Sequence, residues 1–563
     1  MKFDTRQHFV MKPLLAALLL SPLAVQAAGP AAPNAGTILQ EIKPAVPPAP
    51  SSSGTGLKIE SQGGVKLPPS APFEVKTIRI TGNTLFDTAT LHALVAEGEG
   101  KSLDLSQLND LAARITDFYQ SHGYPLARAI IPAQTIRDGV LNIEVIEARY
   151  GKINLDNRSR VNDGLLQDTL SPLQSGQVVG QKEMDHALLL LSDIPGVEVN
   201  ATLKPGEAVG TSNLQVEAEP TAAVTGNVGL DNYGNRYTGK VRAVGSVNFI
   251  DPLHQGDVLS LSALSSGRGL DYARVSYESL LNGQGTRMGG AYSAVRYILG
   301  DTLAPLNSHG TAQVGSLWAK HPFVRSRDVN LYGQLQYDQK QLRDRIDASA
   351  IRTDRHLGNW VLSLSGDLRD ALMSGGVNTW SLGWTSGRVG FDDAAAQAAD
   401  AGTAKTQGSF SKWNANFSRL QALSATNALY FTAAAQGANT NLDSAEKMTV
   451  GGPYTVRAYD MGAASGDTGY TATAELRHDF GKTGYGQWQA LAFIDSAHVT
   501  VNKKPWVAGT NSATLTGAGV GINWIGPDRW HAKAYVASRL GSAPALVGGT
   551  ASTRAWGEVG KEF

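Results

Sequence analysis

The sequence predicts a transmembrane β-barrel of sixteen antiparallel strands preceded by two small α+β modules. Three observations carry this. Across residues 221–563, apolar or small residues recur at every second position, as in Val224–Leu230, Val241–Phe249 and Val329–Tyr337. Period two makes one strand face greasy and the other polar. Sixteen such segments follow in series, starting near residues 221, 239, 257, 270, 286, 312, 328, 359, 377, 408, 427, 468, 487, 513, 529 and 554, with no helical stretch of any length between them. A soluble sandwich uses fewer strands, whereas a long series fits lipid outside and water inside. Finally, residues 73–150 and 151–220 mix helix and strand patterns in two consecutive units of about 75 residues, an internal repeat.

Bulk composition agrees. The chain has 563 residues, zero formal net charge, 17% charged residues, 62 glycines and no cysteine. Neutrality removes any bulk electrostatic case for nucleic acid, and the missing cysteine excludes disulfides and thiolate metal sites. Lys2, Arg6 and Lys12, then apolar Leu14–Val25 and a small-residue site ending at Ala27, read as a secretory signal over residues 1–27.

The elements follow in order. Residues 28–72 form an arm in which Thr37–Lys43 is expected to be a short helix. The Pro-, Ser- and Gly-rich remainder is expected to be an extended linker. In the first module Phe73–Ile80 alternates as a strand and Leu105–Tyr119 has helical spacing. Ala127–Pro132 and Val140–Ile146 read as further strands. In the second module Lys152–Leu155 is a strand, and helices are expected near Val161–Thr169 and at Gln181–Leu191. Val197–Leu203 and Asn213–Glu219 pair about Pro205-Gly206. In the barrel, residues 297–311, 339–358, 389–407 and 437–467 are expected to be loops, and an even strand number puts both barrel ends on the periplasmic side.

Three long stretches carry a family resemblance. They are Phe118–Gln134 with Asp138–Glu147; Leu188–Val197 with Leu203–Gly206; and Gly229–Gly239 with Asp251-Pro-Leu253 and Gly256-Asp257. Together they resemble the outer-membrane transporters of two-partner secretion, of the hemolysin secretion/activation type. The resemblance implies two periplasmic POTRA domains, a sixteen-stranded barrel, an N-terminal plug helix, and a long loop, 437–467, folded into the lumen. It also implies a loop motif, carried here by Gly451, Gly452, Val456, Arg457 and Tyr459, with Ala458 where glycine is usual. A barrel motif follows at Phe493-Ile-Asp495, with Ala497 again replacing glycine, and Ala148 replaces glycine after Glu147. Phe563 suits the C-terminal barrel signature.

Asp495 stands out without the family. It lies in the apolar run Leu491–Asp495 and shares a face with Leu491 and Phe493. An acid cannot point at lipid cheaply, so it is expected to face the lumen and to need a cation. The resemblance supplies Arg457 as that cation, in a pair that locks the loop. Other chemistry is weaker. Glu183-x-x-His186 reads as a solvated helix face, and Gly517–Gly521 lies inside a strand pattern. No Gly-x-Ser-x-Gly elbow is present. No enzyme, cofactor or metal is expected.

The reading is an outer-membrane translocator that receives an unfolded exoprotein on POTRA strand edges and exports it through the pore. Its implied partners are a large secreted exoprotein, outer-membrane lipid and the barrel assembly machinery that inserts such proteins. The alternatives are an outer-membrane protein assembly factor, which usually carries more such modules, and a passive solute porin, which leaves the modules without a purpose.

Overall fold

A computed structural model describes residues 32–42, 57–59, 71–549 and 551–563. The signal expected over residues 1–27 and most of the linker lie outside the described residues. Among the described residues no helix is long and apolar enough to cross a membrane.

Sixteen antiparallel strands close a barrel: β1 (Val224–Asp231), β2 (Arg242–Ile250), β3 (Val258–Ser265), β4 (Leu270–Leu280), β5 (Arg287–Ile298), β6 (Ser308–Arg325), β7 (Val329–Ile346), β8 (Ile351–Asp370), β9 (Gly376–Phe391), β10 (Gly408–Ala422), β11 (Asn427–Ala438), β12 (Thr468–Thr483), β13 (Gly486–Thr500), β14 (Ser512–Ile525), β15 (Trp530–Arg539) and β16 (Thr553–Glu562). Closure joins β1 to β16, with Asn227 opposite Glu562 and Asp231 opposite Glu558. Phe563 extends that seam by one more pair, since its amide donates to the Gly226 carbonyl and the reverse, each at 3.0 Å. The Phe563 ring lies over Gly226, where a Cβ would come within 2.5 Å of it.

The period-two pattern sorts the faces as expected. On β13, Leu491, Phe493 and Asp495 are buried toward the lumen, while Ile494 between them is 49% exposed on the lipid side.

One loop expectation fails. Residues 339–358 are mostly strand: β7 and β8 pair up to Ile346–Ile351, leaving only a short 3-10 turn at Asp347–Ser349. Backbone pairing needs no apolar face, so the hairpin can outgrow the lipid band. Its charged residues then pair across strands, as Arg345 does on Asp354 at 2.8 Å. A 20-residue strand at ~3.3 Å per residue is far longer than the band it must cross. Within 389–407 the chain also forms an unanticipated helix, Ala394–Ala401, capped by Asp393.

Each module has a sheet covered by helices. In the first, the sheet order is Thr77–Thr81, Val140–Ile146, Arg128–Ile130. The expected single strand Phe73–Ile80 is broken at Lys76, and its first part pairs with Lys101–Leu103. A helix at Thr88–Ala93, capped by Asp87, went unread because it is only six residues long. The long helix Leu105–Ser121 carries an Asp104–Gln107 capping box and buries Leu108, Leu111, Ala112, Ile115 and Tyr119. The second module packs helices Asp163–Leu170 and Gln181–Ser192 on strands Val197–Pro205, Thr211–Pro220 and Arg149–Asn157.

This second module is bolted to one end of the barrel. Arg325, at the end of β6, grips Asp193 with two hydrogen bonds of 2.6 and 2.9 Å. Arg327 pairs with Asp185 at 2.6 Å, and Arg287 donates to the Asp193 carbonyl at 2.6 Å. The turn after β2 joins in: the Asn162 amide donates to the His254 carbonyl at 3.0 Å.

Candidate functional site

The lumen is filled by two pieces of chain, and sequence explains both. Between β11 and β12 the chain turns inward and forms a small hairpin, Met448–Val450 paired with Ala464–Gly466. The tip reverses at Gly451 and Gly452, whose φ angles of +99° and +96° disfavour residues with a side chain. The Gly452 amide donates to the Tyr459 carbonyl at 3.1 Å, closing the tip. Val456, Ala458 and Tyr459 then pack with Leu491, Phe493, Ala497 and Val499 of the wall. Ala458 has no positive φ, and its methyl sits where a Cβ on Gly517 would approach to 2.4 Å.

Arg457 is held on every side. Its Nε and Nη2 donate to the two Asp495 oxygens at 2.9 and 2.7 Å, and its own amide donates to Asp495 at 3.0 Å. Nη1 donates to Glu475 at 2.7 Å. The guanidinium carbon stands 3.3 Å from the centre of the Phe493 ring, and Trp556 donates its indole N–H to the Arg457 carbonyl at 2.7 Å. Arg457 is 5% exposed and Asp495 0%. Two carboxylates thus face one guanidinium, with Arg477 sharing Glu475 at 2.6 Å. Next along the loop, Asp460 pairs with Arg554 at 2.7 Å.

The loop's other limb is fixed by acids that sequence reading missed. Glu446 takes hydrogen bonds from Lys340 and Asn359, both at 2.6 Å, and pairs with Lys412 at 2.9 Å. Asp443 accepts from Arg355 at 2.6 Å. Lumen-facing lysines and arginines on β7, β8 and β10 look ordinary in a polar-in pattern, and only strand register brings them together.

The second piece is helix α1 (Ala35–Glu41), two residues earlier than the Thr37–Lys43 expected. Asn34 explains the shift: it caps the Gly36 and Thr37 amides in a capping box with Thr37. Ala35, Ile38 and Ile42 are buried against Tyr297, Leu342, Leu357 and others of the wall. The Ala35 amide donates to Asp344 of β7 at 2.7 Å.

Helix α1 touches the loop at both ends. Ser444 donates to Asn34 at 2.8 Å, and Gln40 donates to the Ala445 carbonyl. At the far end Asn235, inside the Gly229–Gly239 motif, donates to Glu41 at 3.0 Å and to the Met461 carbonyl at 3.2 Å. A Cβ on Gly36 would lie 2.2 Å from Ser444 Oγ, and one on Gly462 would lie 2.1 Å from Glu41 Oε1. Helix and loop are therefore in direct contact within one lumen.

Elsewhere the structure gives the weaker motifs other surroundings. His186 faces the Arg325 carbonyl at 3.1 Å, at the module–barrel junction, and Gly517–Gly521 lies within β14.

Comparison with known proteins gives two family matches. Residues 210–524 match the haemolysin secretion/activation protein ShlB/FhaC/HecB family, and residues 73–148 match the ShlB-type POTRA domain. The chain is similar to the heme/hemopexin transporter protein HuxB of Haemophilus influenzae (27% identity, 72% of each chain). It is also similar to the outer membrane transporter CdiB of Escherichia coli (25% identity, 80% of this chain and 76% of that one). A solved CdiB from Escherichia coli has the same fold, with a TM-score of 0.69 at 22% identity over 94% of this chain and 95% of the other.

Proposed function

The chain belongs to the haemolysin secretion/activation protein family, the outer-membrane transporters of two-partner secretion, and we propose that helix α1 and the inward loop together hold its export pore shut at rest. As a member it sits in the outer membrane with POTRA modules in the periplasm and moves a secreted partner protein outward through the barrel. The observation that carries the proposal is the mutual contact of α1 and loop inside the lumen, each separately bonded to the wall.

Residues 73–150 and 151–220 receive the unfolded partner on exposed strand edges, where main-chain hydrogen bonds tolerate varied sequence. Arg457, Asp495 and Glu475 set where the loop rests. Their value is placement, since net stability from a buried ion pair is often small. The outward apolar belt meets outer-membrane lipid, and the seam ending at Phe563 is the part offered to the assembly machinery on insertion. The work is transport without catalysis; folding of the exported chain outside makes movement one-way.

The test is electrical. Deletion of residues 32–42 should raise single-channel conductance in planar bilayers and sensitise cells to large antibiotics. Conductance equal to that of the intact chain would show that α1 is no plug.

A further inference from the structure

The outer face of the barrel is uneven. Arg296 near the end of β5, Arg343 near the end of β7 and Arg388 near the end of β9 are exposed. Their chain neighbours Val295, Tyr297, Leu342 and Val389 are buried with α1 inside the lumen, so by alternation the three arginines point outward. They stand at the barrel end away from the second module, since β7 begins beside the Arg327–Asp185 pair and β5 begins at Arg287, which bonds Asp193. With the modules in the periplasm, that end belongs to the outer leaflet.

Aromatic residues fix the height. Tyr292, Tyr337, Trp360, Trp384 and Trp413 share the outward face of β5, β7, β8, β9 and β10. The Tyr337 and Trp360 ring centres are 5.0 Å apart, and Trp384 lies opposite Trp413. Such rings sit at the membrane–water interface. Arg296 and Arg388 lie four residues beyond Tyr292 and Trp384, and Arg343 six beyond Tyr337. Four residues at ~3.3 Å each, on strands tilted by about 40°, rise about 10 Å. The arginines therefore lie among the headgroups, above the acyl chains.

Their charges are unspent. Arg296 and Arg388 have no ion pair or side-chain hydrogen bond among the described residues. Arg343 stands opposite Asp354, but Arg345 already grips both oxygens of that acid. The other acids of this face are engaged too. Asp271 accepts from Ser265 at 2.7 Å, and Asp392 accepts from His356 at 2.7 Å and Gln341 at 2.8 Å. Arg296 and Arg343 flank Thr311 of β6 in register, so their backbones are two strand spacings, about 10 Å, apart. The other arc differs. On β13–β16 the outward polar residues satisfy one another, His498 with Thr514 and Ser538 with Thr553, each at 2.8 Å. No lysine or arginine stands on the outer half of that face among the described residues.

We infer that the outer-leaflet arc of β5–β9 binds the phosphorylated sugar headgroup of a glycolipid, with Arg296, Arg343 and Arg388 as its phosphate ligands. Guanidinium forks match phosphate geometry, and unpaired arginines above an aromatic belt are complementary to anionic headgroups. A disaccharide headgroup with a phosphate at each end spans arginines spaced in this way, whereas a single-phosphate phospholipid reaches one of them. This goes beyond the belt's contact with lipid at large: it adds an arc, a headgroup chemistry and the residues that hold it.

The test titrates the full-length protein in detergent micelles with diphosphoryl lipid A and counts bound lipid by native mass spectrometry. Monophosphoryl lipid A with the same acyl chains is the comparison probe; phosphatidylglycerol and inorganic phosphate are the competitors. Binding of the diphosphoryl lipid should be the tighter and should survive both competitors. Arg296→Gln, Arg343→Gln and Arg388→Gln should each weaken it about fivefold, and together about a hundredfold, while heat-modifiable gel mobility shows an intact barrel. A control with Arg79→Gln, Arg137→Gln and Arg529→Gln, all exposed and away from this face, should bind as the parent does. Equal affinity for the two lipids, undiminished binding by the single and triple variants, or equal loss in the control overturns the inference. So does displacement by phosphatidylglycerol or inorganic phosphate, which would make the arc a general anion patch.

Discussion

A single guanidinium facing two buried carboxylates makes Arg457 the residue whose loss should tell most. Arg457→Ala leaves Asp495 buried without its cation, while Arg477 still holds Glu475, and an unpaired buried charge costs about 3–5 kcal/mol. The cheapest relief is for the loop tip to leave the wall and let water in. Barrel strands keep their ladders, so the variant should insert normally by heat-modifiable gel mobility while secretion falls. Arg457→Lys should be nearly as impaired, because one ammonium cannot reproduce the fork on Asp495 and the reach to Glu475. Secretion at the wild-type level by either variant would refute a placement role. Glu147 is the corresponding residue in the first module. Burial pushes its carboxyl up, but hydrogen bonds from the Thr84 hydroxyl, the Leu85 and Thr84 amides and the Tyr119 hydroxyl outweigh this and leave it below the usual carboxylate range. A depressed folded value means stability that is whole above the unfolded value, about 4.3, and lost as pH falls through the folded one. Protection of first-module amides, read as hydrogen exchange relative to the intrinsic rate at each pH, should therefore fall on acidification below about pH 4, and Glu147→Gln should flatten that dependence; an unchanged acid profile in the variant would rule Glu147 out as the cause. Asp495 was legible in sequence because an acid in an apolar run is anomalous. Glu475, Glu446 and Lys340 were not, because a polar residue on a lumen face is the rule and only register gives it a partner.

Elements differ in how openly they announce themselves. Barrel strands are read from alternation, and most starts fall within a few residues of the expected positions. The miss at β7–β8 has a physical cause: above the lipid, a hairpin needs only backbone pairing, so its sequence loses the apolar face by which strands are recognised. Helix α1 was visible as Thr37–Lys43 but misplaced, since the capping role of Asn34 outweighs the apolar spacing. What sequence could not show is how tightly α1 fits. A side chain at Gly36 would meet Ser444 Oγ at 2.2 Å and the Ala445 backbone nitrogen at 2.5 Å. Gly36→Val should therefore push α1 off the loop while leaving its wall contacts unfilled. Bilayer recordings should show more frequent openings than the intact chain, approaching those of the 32–42 deletion. If the variant stays as quiet as the parent, contact with the loop is not what keeps α1 in place.

At the scale of the molecule, the second module and the barrel form one docked unit, and nothing in the alternating pattern hints at it. The contacts come from barrel turns and from the end of the helix Gln181–Ser192, each of which reads alone as an ordinary surface. Arg325 is 2% exposed, and its two hydrogen bonds to Asp193 sit beside the Asp185–Arg327 pair. The strand Val197–Pro205 follows directly after Asp193 and the turn at Ile194–Gly196. Docking therefore fixes the position of that strand relative to the barrel. Asp193→Ala removes the carboxylate from a buried guanidinium, and the uncompensated charge again costs about 3–5 kcal/mol. Undocking exposes Arg325 to water and removes most of that penalty, so the module should swing instead of unfolding. Spin labels on the second module and on a barrel turn should then report a broadened distance distribution, with the distribution within the barrel unchanged. Secretion should fall in parallel, and Asp193→Glu should recover part of both. A narrow distance distribution in Asp193→Ala would mean that the remaining contacts suffice to hold the module. Broadening with normal secretion would mean that a fixed second module is not needed for export.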